Sequence, residues 1–125
     1  MMTQAGLIVG TPHYMSPEQV QGKQLDPRSD VYSMGVLMYE MVVGVKPFTA
    51  PSLTAVLTAH ITEIATPPIE ARPDIGREVN NIIVRCLAKN PKDRYADSGA
   101  LLQDLGVGYG YFLGTNQSGG VFLGP

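Results

Sequence analysis

The reactive side chains of this 125-residue sequence are few and widely separated. The histidines, His13 and His60, lie far apart, and the single cysteine, Cys86, completes no metal-ligand spacing with them. No serine stands in a Gly-x-Ser-x-Gly turn of the kind that presents a hydrolase nucleophile. A lone cysteine also excludes an internal disulfide and is more typical of a small buried side chain. Metal-centred and serine-hydrolase chemistry are therefore disfavoured.

Two glycine clusters near the C-terminus have part of the spacing of a phosphate-binding loop. In GVGYG at residues 106–110, Tyr111 stands where a nucleotide-binding loop has its third glycine, and counting from Gly108 places Leu113 there. Residues 114–119 have the Walker spacing, but Gly120 stands at the position of the lysine that contacts phosphate. Neither cluster predicts a nucleotide site.

Composition restricts the class of protein and its partners. The chain is 44% hydrophobic and 16% charged, which predicts one folded domain, and its net charge of −2 offers no basic surface for nucleic acid. The longest apolar stretch, residues 31–45, is interrupted by Glu40 and is shorter than the roughly 18 apolar residues of a membrane span. With no secretion-signal pattern and one cysteine, we predict a cytoplasmic protein without a membrane span.

The elements that must position any site are predicted to be helices. Ser16 can cap a short helix over residues 16–21, with Pro17 at its first position. Ser29 can cap a second helix over residues 30–43 that stops at Gly44. Apolar residues surround the axis of this second helix, so we expect it to be central and buried on nearly all sides.

The rest of the chain predicts three further helices and a tail. An amphipathic helix follows residues 49–51, and its predicted buried face carries Leu53, Val56, Leu57, His60 or Ile61, and Ile64. The proline-rich residues 65–76 predict an extended linker. Two more helices are expected over residues 77–89 and 97–105. Residues 106–125 are uncharged and rich in glycine, which predicts a flexible tail. The predicted class is all-α, with about five helices around the helix at 30–43.

Four ordered motifs point to a family. They are GTPHYMSPE at residues 10–18, RSDVYSMG at 28–35, KPF at 46–48 and NPKDR at 90–94. In type and order they resemble the eukaryotic-like serine/threonine protein kinases of bacteria, and the resemblance covers residues 3 to about 105. It implies that the fold is the helical C-terminal lobe of a protein kinase without its N-terminal lobe.

The resemblance assigns a substrate-binding role to the first motif. Its SPE corresponds to the Ala-Pro-Glu element that closes the activation segment. The preceding residues Gly10, Thr11, Pro12 and Tyr14 correspond to the loop that receives the substrate residue following the phosphorylated hydroxyl. A threonine at the position of Thr11 is typical of the serine/threonine branch of the family. An ordinary turn of glycine and proline is the simpler alternative.

Further residues acquire structural roles from the same resemblance. Glu18 is expected to form a buried ion pair with Arg94, and Asp30 to bind the backbone of the catalytic loop. Leu37 and Met41 correspond to the base of the apolar column beneath the adenine, a role compatible with plain core packing.

Two polar residues, Glu40 and Thr3, each have two possible interpretations. Glu40 corresponds to a residue that contacts a substrate arginine, although an ion pair at the edge of the core is equally compatible. Thr3 corresponds to an activation-loop phosphorylation site, or it is simply a threonine near the terminus.

The parts of a kinase that transfer phosphate are missing from the sequence. Phosphoryl transfer requires a glycine loop, a strand lysine paired to a helix glutamate, a magnesium aspartate and a base aspartate with its asparagine, and no His-Arg-Asp or Asp-Phe-Gly triplet occurs. The resemblance implies ATP and magnesium for the complete family domain, but we expect this chain alone to bind neither and to contain no catalytic residue. The expected partners are a protein substrate or the missing kinase portion, and we expect an exposed apolar patch where that portion would pack.

Three functions remain open. The chain is a partial serine/threonine kinase, as from a truncated gene, a non-catalytic interaction module or decoy, or an unrelated helical protein. Contact between Glu18 and Arg94 separates the third from the first two.

Overall fold

The computed structural model describes the backbone of residues 12–113 and the side chains of residues 12–106. In this part of the chain there are six α-helices, three short 3-10 turns and no strand, so the predicted all-α class is confirmed. The helices are α1 (Pro17–Val20), α2 (Pro27–Val43), α3 (Leu53–Thr62), α4 (Pro68–Ala71), α5 (Arg77–Cys86) and α6 (Ser98–Leu113). The 3-10 turns are Pro12–Tyr14, Pro73–Ile75 and Pro91–Asp93.

Helix α1 begins as the sequence predicts. The Ser16 hydroxyl accepts a hydrogen bond from the Gln19 backbone N–H at 3.2 Å, and the Gln19 side chain accepts one from the Ser16 N–H at 2.8 Å. Pro17 occupies the first helical position, where a missing N–H removes no intrahelical bond. This reciprocal cap fixes the direction in which the chain enters the helix.

Helix α2 begins three residues earlier than predicted, so the proposed cap at Ser29 is wrong. Asp26 is the cap, and its carboxylate accepts from the Arg28 N–H at 2.8 Å, with Pro27 at the first helical position. Ser29 is a buried residue of the first turn. The predicted C-terminus is correct: Gly44 ends the helix with a φ of 96°, a conformation that glycine adopts without steric cost.

Helix α2 is the central element, but it is not buried on nearly all sides as expected. It packs against α5, α6, α4 and the first 3-10 turn, which cover its buried face. Leu37 and Met41, one turn apart, are 49% and 73% exposed. Apolar residues on all sides of a helix show that all sides could be buried. The elements that pack against the helix determine which sides are buried.

The core lies where α2 meets α5 and α6. Its buried members are Val31 of α2, Ile82 and Cys86 of α5, Tyr95 from the segment before α6, and Leu101 of α6. Burial raises the pKa of the Cys86 thiol to about 12, which fits the expected role of a small hydrophobic side chain.

Gly35 permits the close approach of α2 to α5. A Cβ atom at this position would lie 2.5 Å from Cys86 Cβ and 3.3 Å from Leu87 Cδ2. We therefore expect Gly35→Ala to lower the free energy of unfolding by about 1–3 kcal/mol through overpacking, measured by urea denaturation. Gly106→Ala is the matched control, because a Cβ atom there would meet nothing within 4 Å and alanine favours the helix by up to about 1 kcal/mol. Equal effects of the two substitutions would contradict close packing at Gly35.

Residues 53–89 depart from the prediction in three places. Residues 65–76 are not an extended linker, because α4 and a 3-10 turn form within them at proline-initiated starts. Helix α3 starts at Leu53 after the cap Ser52, and both Leu53 and Ile64 are exposed instead of lying on its buried face. Helix α5 ends at Cys86, before the predicted residue 89.

The last helix, α6, extends through Leu113, beyond the predicted end at residue 105, although the glycines of this segment disfavour a helix. The prediction of a flexible tail over residues 114–125 falls outside the described residues. Over residues 12–113 we find no helix with the length and apolar character that a membrane crossing needs.

Candidate functional site

The first 3-10 turn, Pro12–Tyr14, carries two of the four residues assigned to substrate binding. Pro12 and Tyr14 lie in this turn, directly before α1, and both are partly buried. Gly10 and Thr11 of the same motif, and the proposed phosphorylation site Thr3, lie outside the described residues. The turn packs against both α2 and α3.

Side chains from α2 and α3 hold this turn. The Ser33 hydroxyl of α2 donates to the Tyr14 carbonyl oxygen at 2.5 Å. The His60 Nε2 atom of α3 lies 3.0 Å from the His13 carbonyl oxygen. The Tyr14 hydroxyl donates in turn to the Glu40 carboxylate of α2. Backbone and side chain of the turn are therefore both bonded to the helices beneath it.

Glu40 joins the turn to the loop after α2. Besides the Tyr14 hydroxyl, Lys46 Nζ approaches Glu40 Oε2 at 3.4 Å, and both side chains of this ion pair are about a third exposed, at 31% for Glu40 and 30% for Lys46. Donation from Tyr14, and more weakly from Lys46, lowers the pKa of the Glu40 carboxyl, and the same hydrogen bond raises the pKa of Tyr14. Glu40 is thus a partly accessible carboxylate at the edge of the turn, and its neighbours favour the ionised form.

Glu18 and Arg94 are in contact. Arg94 Nη1 donates to Glu18 Oε2 at 2.6 Å and Nη2 donates to Oε1 at 3.0 Å, in a two-pronged arrangement. The Ser29 hydroxyl donates to the same Oε2 atom at 2.6 Å. The Arg94 side chain is fully buried and that of Glu18 is 9% exposed. Burial alone would raise the pKa of Glu18, but the donors Arg94 and Ser29 outweigh it, so the pKa is lowered.

Arg94 also organises the backbone around it. Its guanidinium donates to three carbonyl oxygens, those of Ala88 at 2.7 Å, Lys89 at 3.1 Å and Arg28 at 3.1 Å. Every nitrogen of this buried cation therefore meets an acceptor, which is the condition under which a buried charge is tolerated.

The other predicted site residues lie neither at the Pro12–Tyr14 turn nor at the Glu18–Arg94 pair. Asp30 lies exposed in the first turn of α2, and no described residue bonds to its side chain. Leu37 and Met41 lie on the exposed face of α2. Their assigned partners, a catalytic loop and an apolar column, correspond to no segment among residues 12–113.

A buried polar group beneath the turn was not predicted from the sequence. His60 is completely buried, its Nδ1 atom lies 2.7 Å from the Tyr32 hydroxyl, and its ring packs edge-on against Phe48 at 5.1 Å between centroids. Burial, and next the charge of Lys89, lower the pKa of His60 to about 4. The available signal was a histidine on an otherwise apolar face of the predicted third helix.

Lys89 contacts the C-terminal end of α3 and the Phe48 ring beside His60. Its Nζ donates to the carbonyl oxygens of His60 at 2.8 Å and Ala59 at 3.4 Å, in the last turn of α3, and lies 4.5 Å from the centre of the Phe48 ring. Burial, with repulsion from Arg94, lowers the pKa of Lys89 to about 8. A cation at the C-terminal end of a helix stabilises its unpaired carbonyl groups.

The described residues contain no candidate metal site. Among residues 12–106, whose side chains the structure describes, no three side chains of histidine, cysteine, aspartate or glutamate come together in a group able to hold a metal ion.

An all-helical lobe built around one central helix, with a buried Glu–Arg pair joining distant segments, is a protein-kinase architecture. The chain belongs to the protein kinase domain family, whose model matches residues 3–104. Within it, the chain is a member of the serine/threonine protein kinases by homology.

Its relatives include bacterial kinases. Serine/threonine-protein kinase pkn3 of Myxococcus xanthus is 45% identical over 106 residues, covering 83% of this chain and 19% of the relative. Serine/threonine-protein kinase PknB of Mycobacterium tuberculosis is 38% identical over 104 residues, covering 83% of this chain and 17% of the relative. The chain thus spans less than a fifth of the length of these relatives.

Solved kinase structures share the fold. The autoinhibited serine kinase domain of the giant muscle protein titin matches with a TM-score of 0.65 at 30% identity, over 73% of this chain and 28% of that one. The twitchin kinase region from C. elegans also has a TM-score of 0.65, over 72% of this chain and 16% of that one, and at 24% identity it supports the fold alone.

Proposed function

We propose that this chain supplies the peptide-binding turn and the helical scaffold of a serine/threonine protein kinase domain. The observation that carries the proposal is the attachment of the Pro12–Tyr14 turn: three side-chain hydrogen bonds hold it to α2 and α3. A binding surface needs such support, because a substrate is positioned only as well as the residues that contact it. Gly10 and Thr11 complete this loop in the proposal, as the family motif implies.

The roles of the remaining residues follow from where they lie. Glu18 and Arg94 fix the helix that follows the turn to the last third of the chain. Asp30, exposed at the start of α2, is available to bind a catalytic loop, and Leu37 with Met41 offers an apolar surface to other kinase segments. Glu40 is proposed to attract a basic substrate side chain, in exchange for Lys46.

Phosphate transfer itself requires residues that this sequence does not contain. The complete family domain uses ATP and magnesium, and the residues that bind them and the catalytic aspartate have no counterpart here. We therefore propose that the chain alone binds peptide without catalysis, and that its protein partners are a kinase substrate and the remaining kinase segments. A cytoplasmic location agrees with the single unpaired Cys86.

The test combines peptide binding with an assay of phosphate transfer. We expect the purified chain to bind a serine- or threonine-containing peptide with basic residues, measured by fluorescence anisotropy, and to transfer no phosphate from ATP. Glu40→Gln should weaken binding of the basic peptide and leave binding of its alanine-substituted analogue unchanged. ATP turnover that is abolished by point changes in this chain, or failure of any such peptide to bind, would overturn the proposal.

A non-catalytic interaction module is the second candidate, and the exposed face of α2 favours it. Leu37 and Met41 form an apolar surface on a helix that is otherwise central to the fold. Adding a separately produced kinase portion that carries the nucleotide-binding motifs distinguishes the candidates. Restored phosphate transfer supports the partial kinase, whereas tight association without transfer supports the interaction module.

A further inference from the structure

His60 connects three of the described elements: α3, α2 and the first 3-10 turn. It belongs to α3, its Nε2 atom reaches the His13 carbonyl of the turn, and its Nδ1 atom reaches the Tyr32 hydroxyl of α2. The nearest aromatic rings, Phe48 and Tyr32, meet it edge-on with centroids 5.1 and 5.5 Å away. Because the ring is fully buried, water does not compete for either nitrogen.

The two hydrogen bonds together define the tautomer of His60. A carbonyl oxygen only accepts, so Nε2 carries the hydrogen that bonds to His13. Nδ1 is then unprotonated and accepts from the Tyr32 hydroxyl. Lys89, whose ammonium group bonds to the His60 carbonyl oxygen at 2.8 Å, adds a positive charge that further favours the neutral ring. His60 is therefore a directed donor toward the turn.

We propose that His60 is a positioning residue for the peptide-binding turn, holding the His13 carbonyl through its Nε2–H group. This inference rests on the proposed function for its consequence in substrate binding, but the attachment of the turn stands on the geometry alone. Ser33 and Glu40 hold the next residue, Tyr14, from α2. Among the described residues, His60 is the one residue of α3 whose side chain bonds to the turn. It therefore aligns the turn with that helix.

The test compares two amides that reach different atoms of the site. In His60→Gln the side-chain amide nitrogen can occupy the place of Nε2 and donate to the His13 carbonyl. In His60→Asn the shorter amide matches Nδ1, so it can contact Tyr32 but does not reach the turn. Tyr32→Phe is the matched control, since it removes the other bond of the imidazole and leaves the donor to His13 in place.

The main readout is hydrogen exchange at the Met15 backbone amide, which donates to the Pro12 carbonyl across the turn. The Val20 amide in α1, bonded to the Ser16 carbonyl, is the internal reference. We expect His60→Asn to speed exchange at Met15 relative to Val20 by about fivefold, the effect of one buried hydrogen bond, and His60→Gln to restore it. Equal exchange in the two variants, or a Tyr32→Phe effect as large as that of His60→Asn, would overturn the proposal.

Two further measurements, imidazole ¹⁵N spectra and peptide affinity, test the proposal independently of the exchange rates. If His60→Asn does not fold, imidazole ¹⁵N spectra of the unsubstituted chain decide: a proton on Nε2 supports the proposal, and a proton on Nδ1 overturns it. Peptide affinity then distinguishes the positioning role from the proposed function. A turn loosened by His60→Asn together with about fivefold weaker peptide binding supports both proposals. A loosened turn in a chain that binds no peptide overturns the proposed function and supports the positioning role.

Discussion

Replacing Arg94 with methionine is expected to lower the free energy of unfolding by about 3–5 kcal/mol, measured by urea denaturation. The substitution removes the partner of a carboxylate that is 9% exposed and leaves the carbonyl groups of Ala88, Lys89 and Arg28 without their donor. Methionine preserves most of the side-chain volume, so little packing energy is lost. The loss of stability comes mainly from the buried Glu18 carboxylate without its cation and from the carbonyl groups without this donor.

The double variant and a surface control test this explanation. Adding Glu18→Gln to Arg94→Met removes the stranded charge, so the double variant should be more stable than Arg94→Met alone. Arg72→Met breaks an exposed ion pair with Asp74 and an exposed hydrogen bond to the Val42 carbonyl oxygen, and it should cost less than about 1 kcal/mol. Additive losses in the double variant, or equal effects of Arg94→Met and Arg72→Met, would contradict a buried, coupled pair.

Acidification between about pH 6.5 and pH 4 is expected to remove about 3 kcal/mol of stability through His60. Its pKa is about 4 in the folded chain against an ordinary value of 6.5, so in this range the unfolded state binds the additional proton. The free energy of unfolding is therefore highest above pH 6.5 and falls as the pH decreases toward 4. The titratable side chains that act on His60 through space are Lys89 and His13, and the His13 carbonyl oxygen accepts a hydrogen bond from its ring.

Urea denaturation at a series of pH values measures this dependence. Glu18, whose pKa is lowered, loses its contribution only below its ordinary value of 4.5, so the interval above pH 4.5 reports mainly on His60. His60→Gln, which does not titrate, should have a flat profile there. A direct NMR titration of the His60 ring gives an independent measurement, and a pKa near 6.5 in the folded chain would contradict the prediction.

Local signals in the sequence were sufficient for helix ends that depend on local chemistry. Ser16 with Pro17 predicted the start of α1, and Gly44 predicted the end of α2, because caps and left-handed glycines are properties of a few adjacent residues. Ser29 was misassigned as a cap because it has the right chemistry. Asp26, followed by Pro27, has the same chemistry one turn earlier, and the tertiary bond from Ser29 to Glu18 is invisible in local sequence.

The site was predictable only where a family motif named its residues. The motifs suggested that Glu18 and Arg94 would meet, and they do, across 76 positions. No pattern indicated that His60 would bond to the turn, since periodicity identifies a buried position without identifying which backbone atom faces it. The exposure of Leu37 and Met41 likewise depends on which neighbours are present, and helix periodicity carries no information about that.

The separation of Glu18 from Arg94 also constrains how the molecule can be made. A nascent chain leaves the ribosome N-terminus first, so α1 and α2 emerge while the guanidinium that neutralises Glu18 has not been synthesised. Helices formed at that stage would hold an uncompensated carboxylate against apolar surface, and stable packing must wait until Arg94 has emerged. A polypeptide terminated before Arg94 would thus lack α6 and also the cation that Glu18 needs for stable packing of α1 and α2.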